Sequence, residues 1–112
     1  MKIERRKKSG VVILDLQGKI LTGDAITVIR VAINNLVNEN ETKVVLNFAD
    51  VPYLDSTGLG EIVRSFTSIK KIDGTVKILN LTSRVKDLMT ITKLITVFEC
   101  FEDEEKAINS FG

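Results

Sequence analysis

Strand-like and helix-like apolar patterns alternate along this 112-residue chain, and that alternation leaves few folds open to it. Residues 3–8 read as a charged edge strand, and Ser9-Gly10 as a turn. Val11-Val12-Ile13-Leu14-Asp15-Leu16 is apolar on both faces, the pattern of a central strand. Ala25, Val28, Ile29, Ala32, Ile33 and Leu36 then recur at helical spacing, with Asp24 expected as the N-cap. Lys43 to Phe48 is a strand with Val44, Leu46 and Phe48 on one face. Leu59, Ile62, Val63, Phe66 and Ile69 form a second helical stripe running to about Ile72, and Gly74 is suited to its left-handed cap. Thr75 to Leu81 is the next strand. The hydroxyls of Thr82 and Ser83 are expected to cap a helix with Val85, Leu88 and Met89 inward. Val97 to Phe101 reads as the last strand, and Asp103 as the cap of a final helix in which Ala107, Ile108 and Phe111 pack.

The order is β-β-α-β-α-β-α-β-α. Strands separated by helices pair in parallel through right-handed crossovers, whereas the first two, joined by a tight turn, pair antiparallel. The expected fold class is α/β: a mostly parallel mixed sheet of about five strands with an antiparallel edge strand, packed by about four helices. The length suits one domain, residues 1–112, with loops at the strand C-termini gathering any site.

Composition excludes more than it suggests. Apolar residues make up 44% and charged residues 28%, so the chain can bury a core. A net charge of +1 gives no reason to expect nucleic acid. No apolar run reaches the roughly 20 residues of a membrane span, and the basic start, Met1 to Lys8, lacks the features of a signal peptide. With one cysteine and no export signal, a reducing cytoplasm is the expected location. Cys100, beside two phenylalanines, is expected in the core, and Arg5 to Lys8 as a solvated edge. The chain has no histidine, which removes Ser-His-Asp and Cys-His catalysis and most zinc sites.

One stretch stands out: Asp55-Ser56-Thr57-Gly58-Leu59-Gly60, between a strand and a helix. Two hydroxyls, a carboxylate and two glycines meet where a helix start leaves backbone N–H groups free. Such a corner can hold an anion or present a serine to a partner enzyme. It lacks the lysine of a phosphate loop, the three glycines of a dinucleotide fingerprint, and the flanking glycines of a nucleophile elbow. Helix capping by Asp55 or Ser56, with the glycines allowing close packing, is the purely structural account. Consecutive hydroxyls beside an acid exceed what a cap needs, and the glycines leave Ser56 open to a second protein.

In this context the stretch resembles the phosphorylation motif of bacterial anti-sigma factor antagonists, the STAS-domain family. The likeness extends over nearly the whole chain: the Val44 to Phe48 strand, the Asp73-Gly74 turn, the segment from Thr82 to Leu88, Val97-Phe98, and the acidic Phe101 to Ile108. The resemblance implies that Ser56 is phosphorylated by an anti-sigma factor that is itself a serine kinase, and that a PP2C-type phosphatase reverses the mark. The unphosphorylated form would bind the anti-sigma factor and release the sigma factor. No cofactor, metal, catalytic residue or direct DNA contact is implied, and oligomeric state is left open. The expected partner surface comprises Leu21, Thr22, Asp24, Asp55, Ser56, Thr57, Gly58, Leu59 and Glu61. The chain departs from the pattern at Leu21, where the family often has an aspartate; Asp24 is the nearby acid. That departure keeps a second role in view, a STAS subunit of a stressosome-like scaffold or a lipid-transport complex. A third is a small enzyme using Asp55 and Ser56 without histidine.

Overall fold

The computed structural model describes residues 1–112. Its sheet grows outward in sequence order, β1 (Lys2–Lys8), β2 (Val11–Gln17), β3 (Lys43–Asp50), β4 (Thr75–Leu79) and β5 (Cys100–Phe101), with neighbours in that order paired. Only β1 and β2 are antiparallel; the other pairs are parallel. Helices α1 (Asp24–Asn38), α2 (Ser56–Lys70), α3 (Ser83–Ile91) and α4 (Glu104–Asn109) fill the connections and the C-terminus. The expected fold class is the observed one. No helix is long and apolar enough to cross a membrane.

Alternation along the strands sorts the core into two layers. Val12, Leu14, Val44, Leu46, Val76 and Ile78 meet Ile29, Ile33 and Leu36 of α1, Leu59, Ile62 and Ile69 of α2, and Val85 and Met89 of α3. Val11, Ile13, Val45 and Leu79 point the other way, under Ala107 and Ile108 of α4. Both faces of β2 are therefore covered, which is why its sequence runs apolar without alternation. Lys77 shares the α4 face although its side chain is only 7% exposed. Its ammonium donates to Ser110 Oγ at 2.8 Å and Ser110 O at 3.1 Å, lies 2.9 Å from Glu99, and sits over the Phe111 ring. The charge is thereby compensated, and the C-terminal turn is tied to the sheet.

The basic run of β1 is paired throughout rather than simply solvated. Arg5 holds Glu39 and Glu41, Lys7 holds Glu41, and Lys8 holds Glu105. Arg6 bridges Asp15 at 2.6 Å and Glu104 at 2.6 Å. Asp15 also accepts from Asn47 Nδ2 at 2.8 Å, and Asn80 Nδ2 donates to Asn47 Oδ1 at 3.3 Å, so a polar row crosses β1 to the end of β4.

Several local expectations are corrected. Asp24 is the first residue of α1, not its cap; the N-cap position is Gly23, at φ 115°, a conformation that suits glycine. Thr82 occupies the N-cap of α3, but its hydroxyl donates to Val51 O at 2.7 Å. After α2 it is Asp73 that turns left-handed, at φ 61°. Gly74 is required for space instead, since a Cβ there would press on Ile69 and the Thr42 backbone. The last strand is only Cys100–Phe101: Lys93 turns left-handed at φ 63°, Leu94–Thr96 form a 3₁₀ turn, and Phe98 swings into the core against Phe66. Cys100 is exposed, and partial burial still raises its thiol above the ordinary value.

Candidate functional site

The site forms where the loops after β2 and β3 run side by side. Beyond the regular strands the parallel pairing continues: Gly18 N–H donates to Asp50 O at 3.0 Å and Ile20 N–H to Tyr53 O at 3.1 Å. Asp55 N–H then donates to Ile20 O at 3.3 Å. Ile20, Val51 and Leu54 are fully buried beneath this zipper, so it is anchored by apolar packing as well as by hydrogen bonds.

Asp55 ends the zipper and begins α2. Its backbone is extended, and its Oδ1 accepts from the Gly58 N–H at 2.7 Å, the geometry of an N-cap. Its Oδ2 accepts from the Thr22 N–H at 3.0 Å and the Thr22 hydroxyl at 3.2 Å. One carboxylate thus caps α2 and holds the loop before α1. These donors, the Gly58 amide first and the Thr22 amide next, keep the Asp55 carboxyl below its ordinary value, so it is a carboxylate at neutral pH.

Gly58 makes the close approach of the two loops possible. A Cβ at that position would be driven into the carbonyl oxygen of Ile20, with further crowding from the Ile20 side chain. Gly60 is different: a Cβ there would meet open space. The first glycine of the motif is thus required by the fold, whereas the second is not required by anything within this chain.

The expected surface residues divide into two sets. Leu21, Thr22, Asp24, Ser56 and Thr57 are exposed at one corner, with Asp55 half-buried among them. Ser56 is the first residue of α2, and neither its hydroxyl nor that of Thr57 bonds to another protein group; the Asp55 carboxylate satisfies Gly58 instead. Gly58 and Leu59 are buried, Leu59 in the core. Glu61, expected on the partner surface, lies inside the α1–α2 contact with its side chain 3% exposed. Its Oε1 accepts from Arg30 at 2.8 Å, while Arg64 approaches Oε2 to 3.5 Å and that oxygen accepts no hydrogen bond. Arg30 is the residue sequence reasoning missed, because its link to Glu61 spans 31 positions and belongs to no local pattern. No group of three or more acidic or cysteine side chains is placed to hold a metal ion.

The architecture is shared with solved proteins. A Thermotoga maritima protein described as a candidate anti-sigma factor antagonist superposes with TM-score 0.89 at 21% identity, covering 96% of this chain and 92% of that one. The Bacillus cell-fate determinant SpoIIAA in its phosphorylated form gives 0.77 at 19% identity, over 99% and 100%. At such identities the likeness speaks for the fold. In sequence, the chain is 39% identical over 59 residues to the anti-sigma-B factor antagonist of Bacillus subtilis, across 53% of this chain and 54% of the relative. The match therefore spans about half the length of that curated relative. The STAS domain family model matches residues 2–107, and with that span of the chain accounted for, the protein belongs to the STAS domain family.

Proposed function

We propose that this chain is an anti-sigma factor antagonist that works by partner switching, with Ser56 as the switch and residues 1–112 acting as one module. The observation that carries the reading is the state of Ser56: exposed, unbonded, and first in α2 directly after the pinned Asp55. Unphosphorylated, the corner formed by Leu21, Thr22, Asp24, Asp55, Ser56 and Thr57 docks on an anti-sigma factor and frees its sigma factor. The B. subtilis relative supports this role.

The anti-sigma factor is also the serine kinase. The Ser56 oxygen forms a bond to the γ-phosphorus of ATP, the bond from that phosphorus to the bridging oxygen breaks, and ADP leaves. The hydroxyl proton passes to a base on the kinase, since the neighbouring Asp55 carboxylate is already engaged by Gly58 and Thr22. The product carries about −1.5 to −2 charges at neutral pH. Free N–H groups and the dipole at the start of α2 tolerate that charge within the fold. A partner surface fitted to a neutral hydroxyl beside the Asp55 carboxylate does not, so binding fails through local repulsion. Hydrolysis by a PP2C-type phosphatase restores the hydroxyl. The chain itself performs no catalysis, and the exchange takes place in the cytoplasm.

Incubating the chain with its cognate anti-sigma kinase and ATP, followed by mass spectrometry, should place one phosphate on Ser56 and none on Ser56→Ala. Phosphate elsewhere, or none, overturns the reading. A second reading, a subunit of a larger STAS assembly with no sigma-factor partner, is favoured by Leu21, which is apolar and 38% exposed at the partner corner. Purification from the native host would then recover scaffold or transporter subunits in place of an anti-sigma factor.

A further inference from the structure

We propose that Arg30 and Arg64, set on either side of the buried Glu61 carboxylate, receive a carboxylate on the protein that docks at Ser56. This inference rests on the partner-switching reading and names the chemistry of the partner's contact.

Glu61 faces α1 from the second turn of α2, nearly closed off from solvent. One buried carboxylate needs one cation for compensation, yet two guanidinium groups approach it, leaving the cluster with a net charge of +1. Arg30 gives Glu61 a single N–H, and Arg64 sits at 3.5 Å without making a hydrogen bond. A guanidinium carries five donors, so most of this pair's capacity is unspent. The two side chains are 47% and 44% exposed, so the unspent edges are open to solvent. The cations of β1 differ, since each lies against at least one exposed or half-buried acid, Glu41 being shared by Arg5 and Lys7.

Position ties the pair to the switch. Ser56, Gly60 and Arg64 follow one another at four-residue spacing and share the exposed side of α2. Arg64 therefore lies about 12 Å along the helix from Ser56, within the footprint of an ordinary protein interface. Between them Gly60 offers no side chain and has open space above it, so a partner backbone can lie close. The buried Glu61 holds Arg30 in advance, which lowers the ordering cost of docking. A planar carboxylate matches the fork of a guanidinium in two parallel hydrogen bonds. A nucleic acid would need a continuous basic stripe, and a chain with net charge +1 whose β1 cations are all paired does not provide one. Glu61 is thus a positioning residue that acts through the arginines.

The test uses the purified chain and its cognate anti-sigma kinase with ADP, titrated at several salt concentrations. Arg64→Gln leaves the Arg30–Glu61 pair intact, so its melting temperature should stay within about 2 °C of wild type, by the small stability effect of surface changes. Its affinity should fall at least about threefold, and that of Arg30→Gln/Arg64→Gln at least about tenfold, with a weaker salt dependence, as expected when charge pairs across an interface are lost. If wild type binds and is phosphorylated on Ser56 while the double variant binds within about twofold and with the same salt dependence, this inference falls and the proposed function stands. If wild type does not bind the kinase, both fall. Self-association of wild type that the double variant loses would assign the surface to a second copy of this chain and overturn the inference. A shift of a labelled RNA or DNA duplex by wild type alone would overturn it in favour of phosphate.

Discussion

Asp55 and Thr22, 33 positions apart, are joined at both the amide and the hydroxyl of the threonine, through the carboxylate oxygen that does not cap α2. The helix that presents Ser56 and the loop that borders it are therefore not independent surfaces. Replacing Asp55 by Ala should release both at once. The expected result is a melting temperature lowered by several degrees, as for loss of a helix cap, with faster amide exchange at Thr22 and Gly58. Asp55→Asn separates the two functions, because it retains an oxygen for Gly58 but offers Thr22 an amide group or one shared oxygen. Exchange at Thr22 should then rise more than at Gly58.

The two glycines of the motif should respond to alanine with opposite signs. At Gly58 the added methyl meets the Ile20 carbonyl, which the zipper holds in place, so about 1–3 kcal/mol of stability should be lost by overpacking. At Gly60 the methyl enters open space in a helix interior, where alanine is preferred by about 1 kcal/mol. Thermal melts of Gly58→Ala and Gly60→Ala measure both. A more stable Gly60→Ala that binds the partner less well would show that this glycine serves the contact rather than the fold.

Arg6 makes part of the stability dependent on acid. Its hydrogen bonds lower the carboxyls of Asp15 and Glu104 below their ordinary values, and those acids raise the guanidinium in turn. A carboxyl depressed on folding contributes stability that is present above its unfolded value, about 3.9 for Asp and 4.3 for Glu. That contribution is lost as pH falls through the lower folded value. Arg6→Gln should cost about 1–2 kcal/mol at pH 7, a figure already reduced for solvent screening because the Arg6 side chain is 40% exposed. The gap to wild type should begin to close below about pH 4. Denaturant melts at pH 7 and pH 3 measure it, and a gap that stays constant would show that the ion pairs do not hold the edge strand.

Much of this fold is legible in the sequence, for a physical reason. Central strands covered on both faces, such as Val11 to Gln17, and helices with one buried stripe, such as α1, print their burial directly as apolar periodicity. The position of Ser56 at the start of α2 is legible because the cap is local: Asp55, Ser56 and Gly58 lie within four residues. What escapes is long-range. The β-branched and aromatic run from Val97 to Phe101 looks like a strand, yet the left-handed Lys93 turns Phe98 inward and leaves two residues to pair. Glu61 looks like an exposed helical acid until the α1–α2 packing brings Arg30 over it. Thr82 looks like a cap, but its hydroxyl finds the Val51 carbonyl on another loop.

The partner-switching account requires phosphate on Ser56 to change the surface without changing the fold, and that is open to direct measurement. As first residue of α2, Ser56 would carry its phosphate beside free N–H groups, where a negative charge contributes about 0.3–1 kcal/mol. Repulsion from Asp55, already ionised and engaged with Thr22 and Gly58, opposes that gain. The two effects are of similar size, so the phosphorylated chain should melt within a few degrees of the unmodified one. Amide chemical-shift changes should cluster at residues 21–24 and 55–60. If the shifts spread across β2 to β4, or the chain unfolds when phosphorylated, the switch acts through stability, and repulsion at a docking surface is the wrong mechanism. If they stay confined to that corner while affinity for the kinase collapses, the charge of a single phosphate group accounts for the release.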